Sequence, residues 1–167
     1  LGVDFKKPLV ILNPGAAYGP AKRWPAARFA ELAGMLQGRK NAEILITGSP
    51  AEAALAESIA AALPAKPKSL AGKTSLRRLL SILSQSALLV TNDTGPMHMA
   101  NALRVPVVAM FGPTDPKITG PFHQPSVVLK KDVPCWPCQY KSCPYDHRCM
   151  TKISPEEAYL ACAAFLG

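Results

Sequence analysis

At 167 residues, nearly half of them hydrophobic, the chain is sized for one domain around a single core. Its longest apolar runs are strand-length and broken by Gly, Pro or charge, far short of the roughly 20 residues that span a membrane, and no signal peptide is expected ahead of the first strand. The formal charge of +8 favours an acidic partner, whether a nucleotide diphosphate, an anionic lipid surface or a nucleic acid, but the basic residues lie scattered in pairs such as Lys6-Lys7 and Arg77-Arg78, not in a polybasic tract.

Gly2-Val3-Asp4-Phe5-Lys6-Lys7 reads as the tail of a linker entering a strand, so the expectation is a domain excised from a longer chain. Leu9-Val10-Ile11-Leu12 is the first strand, and Phe29, Leu32, Ala33 and Leu36 then repeat at helical spacing. Residues 43 to 47 form a strand, residues 51 to 63 an alanine-rich helix, and Ser69-Leu70 a short edge strand. Leu76, Leu79, Leu80 and Leu83 share one helical face ahead of a strand at 87 to 90. A helix opens at Pro96, and a strand follows at 107 to 111. Val127-Val128-Leu129 is the last strand, and Ser154-Pro155-Glu156-Glu157 begins the terminal helix with a capping box and a proline in its first turn. Strands alternating with helices predict an α/β fold: a Rossmann-like, doubly wound, mostly parallel sheet. The Pro- and Cys-rich stretch at about 133–150 is an irregular insertion, and no internal repeat or low-complexity segment is present.

Three loops fall at the ligand edge of such a sheet. The first runs from Asn13 to Pro25 and carries Gly15, Gly19, Lys22, Arg23 and Trp24. Long loops at that edge tend to be functional, and Lys22 is suited to neutralise a diphosphate; a surface lysine beside a core tryptophan is the plainer reading. The second carries Glu52, placed to accept from ribose hydroxyls, although Ser49-Pro50-Ala51-Glu52 is also a capping box. The third is Asn92-Asp93-Thr94-Gly95-Pro96-Met97-His98. It places an acid, a hydroxyl, a glycine turn and an imidazole where a buried strand gives way to a helix N-terminus, a ready anion site. Asp93 alone also fits an Asx turn and His98 alone a structural role; their grouping with Thr94 and Gly95 favours function. Phe111-Gly112-Pro113-Thr114-Asp115-Pro116 adds a second polar turn beside it.

The cysteines read Cys135-x2-Cys138-x4-Cys143-x5-Cys149, with Cys162 apart. Four sulfurs so close suit a tetrahedral zinc site, but the second x2 pair of a zinc ribbon is missing and the spacing does not match bacterial ferredoxins. Structural zinc, free thiols and adventitious disulfides all stay open, with reduced thiols expected of a chain lacking a secretory signal.

Together, residues 15–25, Leu70-Ala71-Gly72-Lys73-Thr74, the 92–98 segment and Phe111–Pro116 resemble glycosyltransferase family 9, through essentially the whole chain and in order. The resemblance implies one half of a two-domain GT-B enzyme: residues 1–167 as the C-terminal donor-binding domain, with the N-terminal acceptor domain absent. It implies inverting, metal-independent transfer of heptose from ADP-heptose, or a related nucleotide-sugar, to the lipopolysaccharide inner core. Lys22 would contact the donor diphosphate, Glu52 the ribose, and Thr74 the adenine pocket. Asp93, Thr94, Gly95 and His98 would hold diphosphate and heptose, with Lys22 and Asp93 as the catalytic pair. Relatives with threonines at positions 16 and 17 differ from the Ala16-Ala17 found here. The implied setting is cytoplasmic, peripheral to the inner membrane, with no nucleic-acid partner. Because the family's base lies in the other domain, this chain is expected to bind donor or ADP weakly and to transfer nothing alone. Three other readings remain: a nucleotide-binding module without chemistry, a transferase for a different nucleotide-sugar, and a zinc-dependent contact for nucleic acid or protein through the cysteine segment.

Overall fold

The computed structural model describes residues 3, 4 and 6–167, so the linker reading at Gly2 and Phe5 lies outside the described residues. Six strands, β1 (Leu9–Asn13), β2 (Glu43–Ile46), β3 (Lys68–Ser69), β4 (Leu88–Asn92), β5 (Val107–Phe111) and β6 (Ser126–Lys130), form one sheet in the order β3-β2-β1-β4-β5-β6. Every neighbouring pair is parallel. The chain winds outward from β1 to β3, then returns to the centre and winds the other way from β4. The strand order therefore reverses between β1 and β4, where open α/β sheets leave a crevice at their carboxyl ends.

Apolar runs become strands here because helices cover both faces. Val10 and Leu12 of β1 point into one core with Trp24, Phe29 and Leu36, and Leu9 and Ile11 point into the other with Leu79, Leu83 and Met97. Each such side chain contributes roughly 1.5–3 kcal/mol on leaving water, which explains why the central strands read as unbroken apolar runs. The first core is roofed by α1 (Ala26–Lys40), α2 (Ala53–Ala61) and α7 (Pro155–Leu166), the second by α3 (Leu76–Leu83) and α4 (Gly95–Ala102).

Helix α1 buries Phe29, Leu32, Ala33 and Leu36, the four positions given by its periodicity. It stops at Asn41, whose left-handed conformation (φ 50°) is one asparagine tolerates better than most residues. The expected 51–63 helix is shorter: a 3-10 turn over Pro50–Glu52 leads into α2, which ends at Ala61 ahead of Pro64. At α7 the Ser154 hydroxyl accepts from Glu157 N–H at 3.1 Å, whereas the Glu157 carboxylate pairs with Lys131 at 2.7 Å. Two one-turn helices, α5 (Pro116–Thr119) and α6 (Arg148–Thr151), complete the set, and residues 133–147 are irregular. Among the described residues no helix is long and apolar enough to cross a membrane.

Candidate functional site

The loop between β1 and α1 crosses the carboxyl edge at the point of reversal, and buried side chains fix both its ends. Asn92, the last residue of β4 and fully buried, donates from Nδ2 to the carbonyls of Pro14 (2.8 Å) and Gly15 (3.1 Å), while its Oδ1 accepts from Trp24 N–H at 3.0 Å. Trp24 stacks edge-on against Phe29 and donates from its indole to Ile153 O, so the loop's exit is anchored in the core. On the neighbouring strand, Asn13 donates toward the Thr91 and Thr94 hydroxyls and accepts from Thr47. A polar row thus runs along the ends of β2, β1 and β4.

Lys22 closes a single 3-10 turn, Pro20–Lys22, and is buried despite its charge. Its ammonium lies 2.5 Å from Asp93 Oδ2. The same oxygen accepts from the hydroxyls of Thr114 (2.7 Å), after β5, and Thr119 (3.0 Å), at the end of α5. The Tyr18 ring stands 4.7 Å from the ammonium, close enough for a cation–π contact. A buried ion pair survives only when its lone pairs and protons are otherwise occupied, and the two hydroxyls meet that need.

Beside this pair, a cleft of about 440 Å³ opens at the reversal point. Its polar wall includes Asn13, Glu52, Thr74 and Thr94, and Leu76, Leu79 and Met99 form apolar surface. Gly95 opens α4 at the same wall, and the Thr94 side chain makes no cap bond to the first turn of that helix. Helix N-termini carry partial positive charge and unpaired N–H donors, so this end of the cleft attracts anions. Glu52 serves two purposes. Its Oε2 accepts from the Ser49 N–H and hydroxyl, which bears out the capping reading, while its carboxylate lies over Gly15 so closely that a Cβ there would overlap it.

The structure thus gathers Glu52, Thr74, Thr94 and Gly95 around one cleft and sets Lys22 and Asp93 in a sequestered pair adjoining Thr94. His98 is half-buried on α4 with its ring 5.9 Å from that of Phe122, and neither it, Lys22 nor Asp93 lines the cleft among the described residues. Sequence reasoning assigned no role to Asn13, Asn92, Thr114, Thr119 or Tyr18. A signal existed for the two asparagines, amide side chains ending buried neighbouring strands. Thr114 lay in the second polar turn, but nothing in the sequence pointed to Thr119, and both meet Asp93 only through the fold.

The cysteine segment packs against this rim. Ala21 N–H donates to Lys141 O (3.0 Å), His147 Nε2 donates to Ala21 O (2.7 Å), and the Tyr18 hydroxyl donates to Gln139 O (2.6 Å). On the other side, Gln139 N–H donates to Pro113 O and the Trp136 indole to Thr114 O. Cys135, Cys138, Cys143 and Cys149 are free thiols around one cavity of about 420 Å³. Burial, then the other three sulfurs, push the Cys149 thiol up to about 11, and burial alone pushes Cys162 up to about 12. Among the described residues no group of three or more His, Cys, Asp or Glu side chains is disposed to hold a metal ion, so the zinc reading finds no preassembled site.

A Rossmann-like α/β domain with a cleft at the strand-order reversal is what the fold and rim define. Residues 2–148 match glycosyltransferase family 9 (heptosyltransferase), and the chain belongs to that family. It is 38% identical to lipooligosaccharide heptosyltransferase 2 of Campylobacter jejuni over 93% of its own length and 53% of that protein's. The structure of E. coli ADP-heptose lps heptosyltransferase II superposes with a TM-score of 0.85 at 32% identity, covering 96% of this chain and 46% of that one. E. coli heptosyltransferase WaaC with ADP is also similar, with a TM-score of 0.66 at 27% identity over 73% of this chain and 37% of the other. The chain spans about half the length of the first curated relatives it matches.

Proposed function

We propose that this chain is the C-terminal, donor-binding domain of a heptosyltransferase that takes ADP-heptose in the cleft at the β1/β4 reversal. The observation that carries the reading is the joining, at one edge, of a carboxylate (Glu52), an apolar wall, an uncapped helix N-terminus at Gly95 and the Lys22 ammonium. Glu52 holds the ribose hydroxyls, Thr74 borders the base, and the diphosphate lies across the start of α4 beside Thr94 and Gly95. Lys22 and the helix end then stabilise charge as ADP departs, with His98 toward the sugar. Heptose passes to the lipopolysaccharide core with inversion, on an acceptor held by a second, N-terminal domain. Work on that acceptor places the protein at the cytoplasmic face of the inner membrane, where its net positive charge favours peripheral contact.

Calorimetry tests this. ADP should bind more tightly than UDP or GDP, and Lys22→Met should weaken ADP about tenfold, the value of one charge-assisted contact. Lys22→Met/Asp93→Asn, which leaves no unpaired buried carboxylate, should show the same loss without a defect in folding. Absence of nucleotide binding in the wild type would defeat the proposal. The chain alone should transfer no heptose.

A further inference from the structure

We propose that Thr114 and Thr119 are positioning residues that hold the Asp93 carboxylate so that Lys22 can leave it for the donor diphosphate; the inference rests on the donor-site reading above. In the structure Lys22, Thr114 and Thr119 all donate to Asp93 Oδ2, at 2.5, 2.7 and 3.0 Å. One carboxylate oxygen has about two lone-pair sites, so three donors oversubscribe it. When the ammonium moves to a diphosphate oxygen, the two hydroxyls still satisfy Oδ2, and the Asp93 side chain stays hydrogen-bonded and in place. The movement is an exchange of acceptors by one cation: no covalent bond changes and no proton is transferred.

The threonines come from the loop after β5 and the end of α5, whereas Asp93 follows β4 and Lys22 precedes α1. The hydroxyls therefore bind the second polar turn to the first, independently of the ligand. Without them Lys22 would be, among the described residues, the sole side-chain partner of a nearly buried carboxylate. Moving it would then leave that charge bare, which is strongly unfavourable. Asp93 would compete with the diphosphate for the ammonium, and the loss would fall on ligands carrying phosphates.

The experiment compares ADP with adenosine by calorimetry on the chain and its variants. Thr114→Val/Thr119→Val keeps side-chain volume and removes both hydroxyls. ADP affinity should fall about tenfold or more while adenosine affinity stays within about twofold. Serine at both positions should restore ADP binding. In an Asp93→Asn background, where no carboxylate retains Lys22, the valine pair should cost little. If the double variant does not fold, Thr119→Val alone, at a half-buried position, gives the same comparison. Unchanged ADP affinity, an equal loss for adenosine, or a loss that persists in the Asp93→Asn background would each overturn the inference. If Lys22→Met selectively weakens ADP but the valines do not, the donor-site reading stands and only this inference fails. If Lys22→Met changes neither ligand, both fail.

Discussion

Asn92 offers the sharpest test of how the rim is built. Replacing it by alanine removes three hydrogen bonds at once and leaves the Trp24 N–H and the Pro14 and Gly15 carbonyls without their partner, all within the interior. A hydrogen bond contributes about 1 kcal/mol net, and a buried group left bare costs about 1–3 kcal/mol, so Asn92→Ala should destabilise by roughly 3–5 kcal/mol. That is a large share of the roughly 5–15 kcal/mol typical of a domain, and it corresponds to a fall in Tm of about 10 °C at this size. Asn92→Asp separates the hydrogen bonds from the volume of the side chain. It keeps the shape and the acceptor for Trp24 but turns a carboxylate oxygen toward two carbonyls, so its loss should equal or exceed that of alanine. Urea denaturation followed by Trp fluorescence reads both variants. A loss below about 1 kcal/mol in either would refute the claim that this amide holds the loop.

Gly15→Ala should lower ADP and adenosine affinity together, by calorimetry, because the added methyl must displace the Glu52 carboxylate; ligand affinities equal to wild type would contradict that placement. Cys149 and Cys162 keep their protons in the folded state to about pH 11 and about pH 12, against 9.0 for a free thiol. Above about pH 9 the unfolded chain therefore releases protons that the native chain retains, so stability should fall as pH rises toward about 12. The urea midpoint should drop less steeply with pH in Cys162→Ala than in wild type, and both thiols should alkylate more slowly than Cys135, Cys138 and Cys143 at about pH 8.

Much of the architecture was legible because it is local. The apolar run of β5 matches its observed limits, the α1 periodicity names its buried face, and the Ser49 capping box needs only four consecutive residues. The Ser154 box was legible by half, since its glutamate found a lysine 26 positions away. The same limit governs the site. Glu52, Thr74, Thr94 and Gly95 stand on three loops that a parallel sheet must bring to one edge, so their meeting followed from fold class. Lys22 and Asp93 are 71 residues apart, and nothing in either stretch says that the two would neutralise each other instead of both facing the cleft. The threonine latch and the brace from the cysteine segment, at separations of 21 to 126 residues, belong to the same class. The cysteine spacing described a cluster correctly and left its chemistry open, because spacing alone cannot set the distance between sulfurs.

The brace has a consequence for how this rim tolerates change. Most of its polar ties end on main-chain atoms of the rim loops: the Ala21 amide and carbonyl, Pro113 O and Thr114 O. Such ties register where the polypeptide runs more than which side chains it bears. These ties therefore tolerate many substitutions at Ala21, Pro113 and Thr114, whereas Trp136 and His147 of the segment act through their side chains, and inserting or deleting a single residue between 133 and 147 would shift its path and let go of the loops after β1 and β5 together.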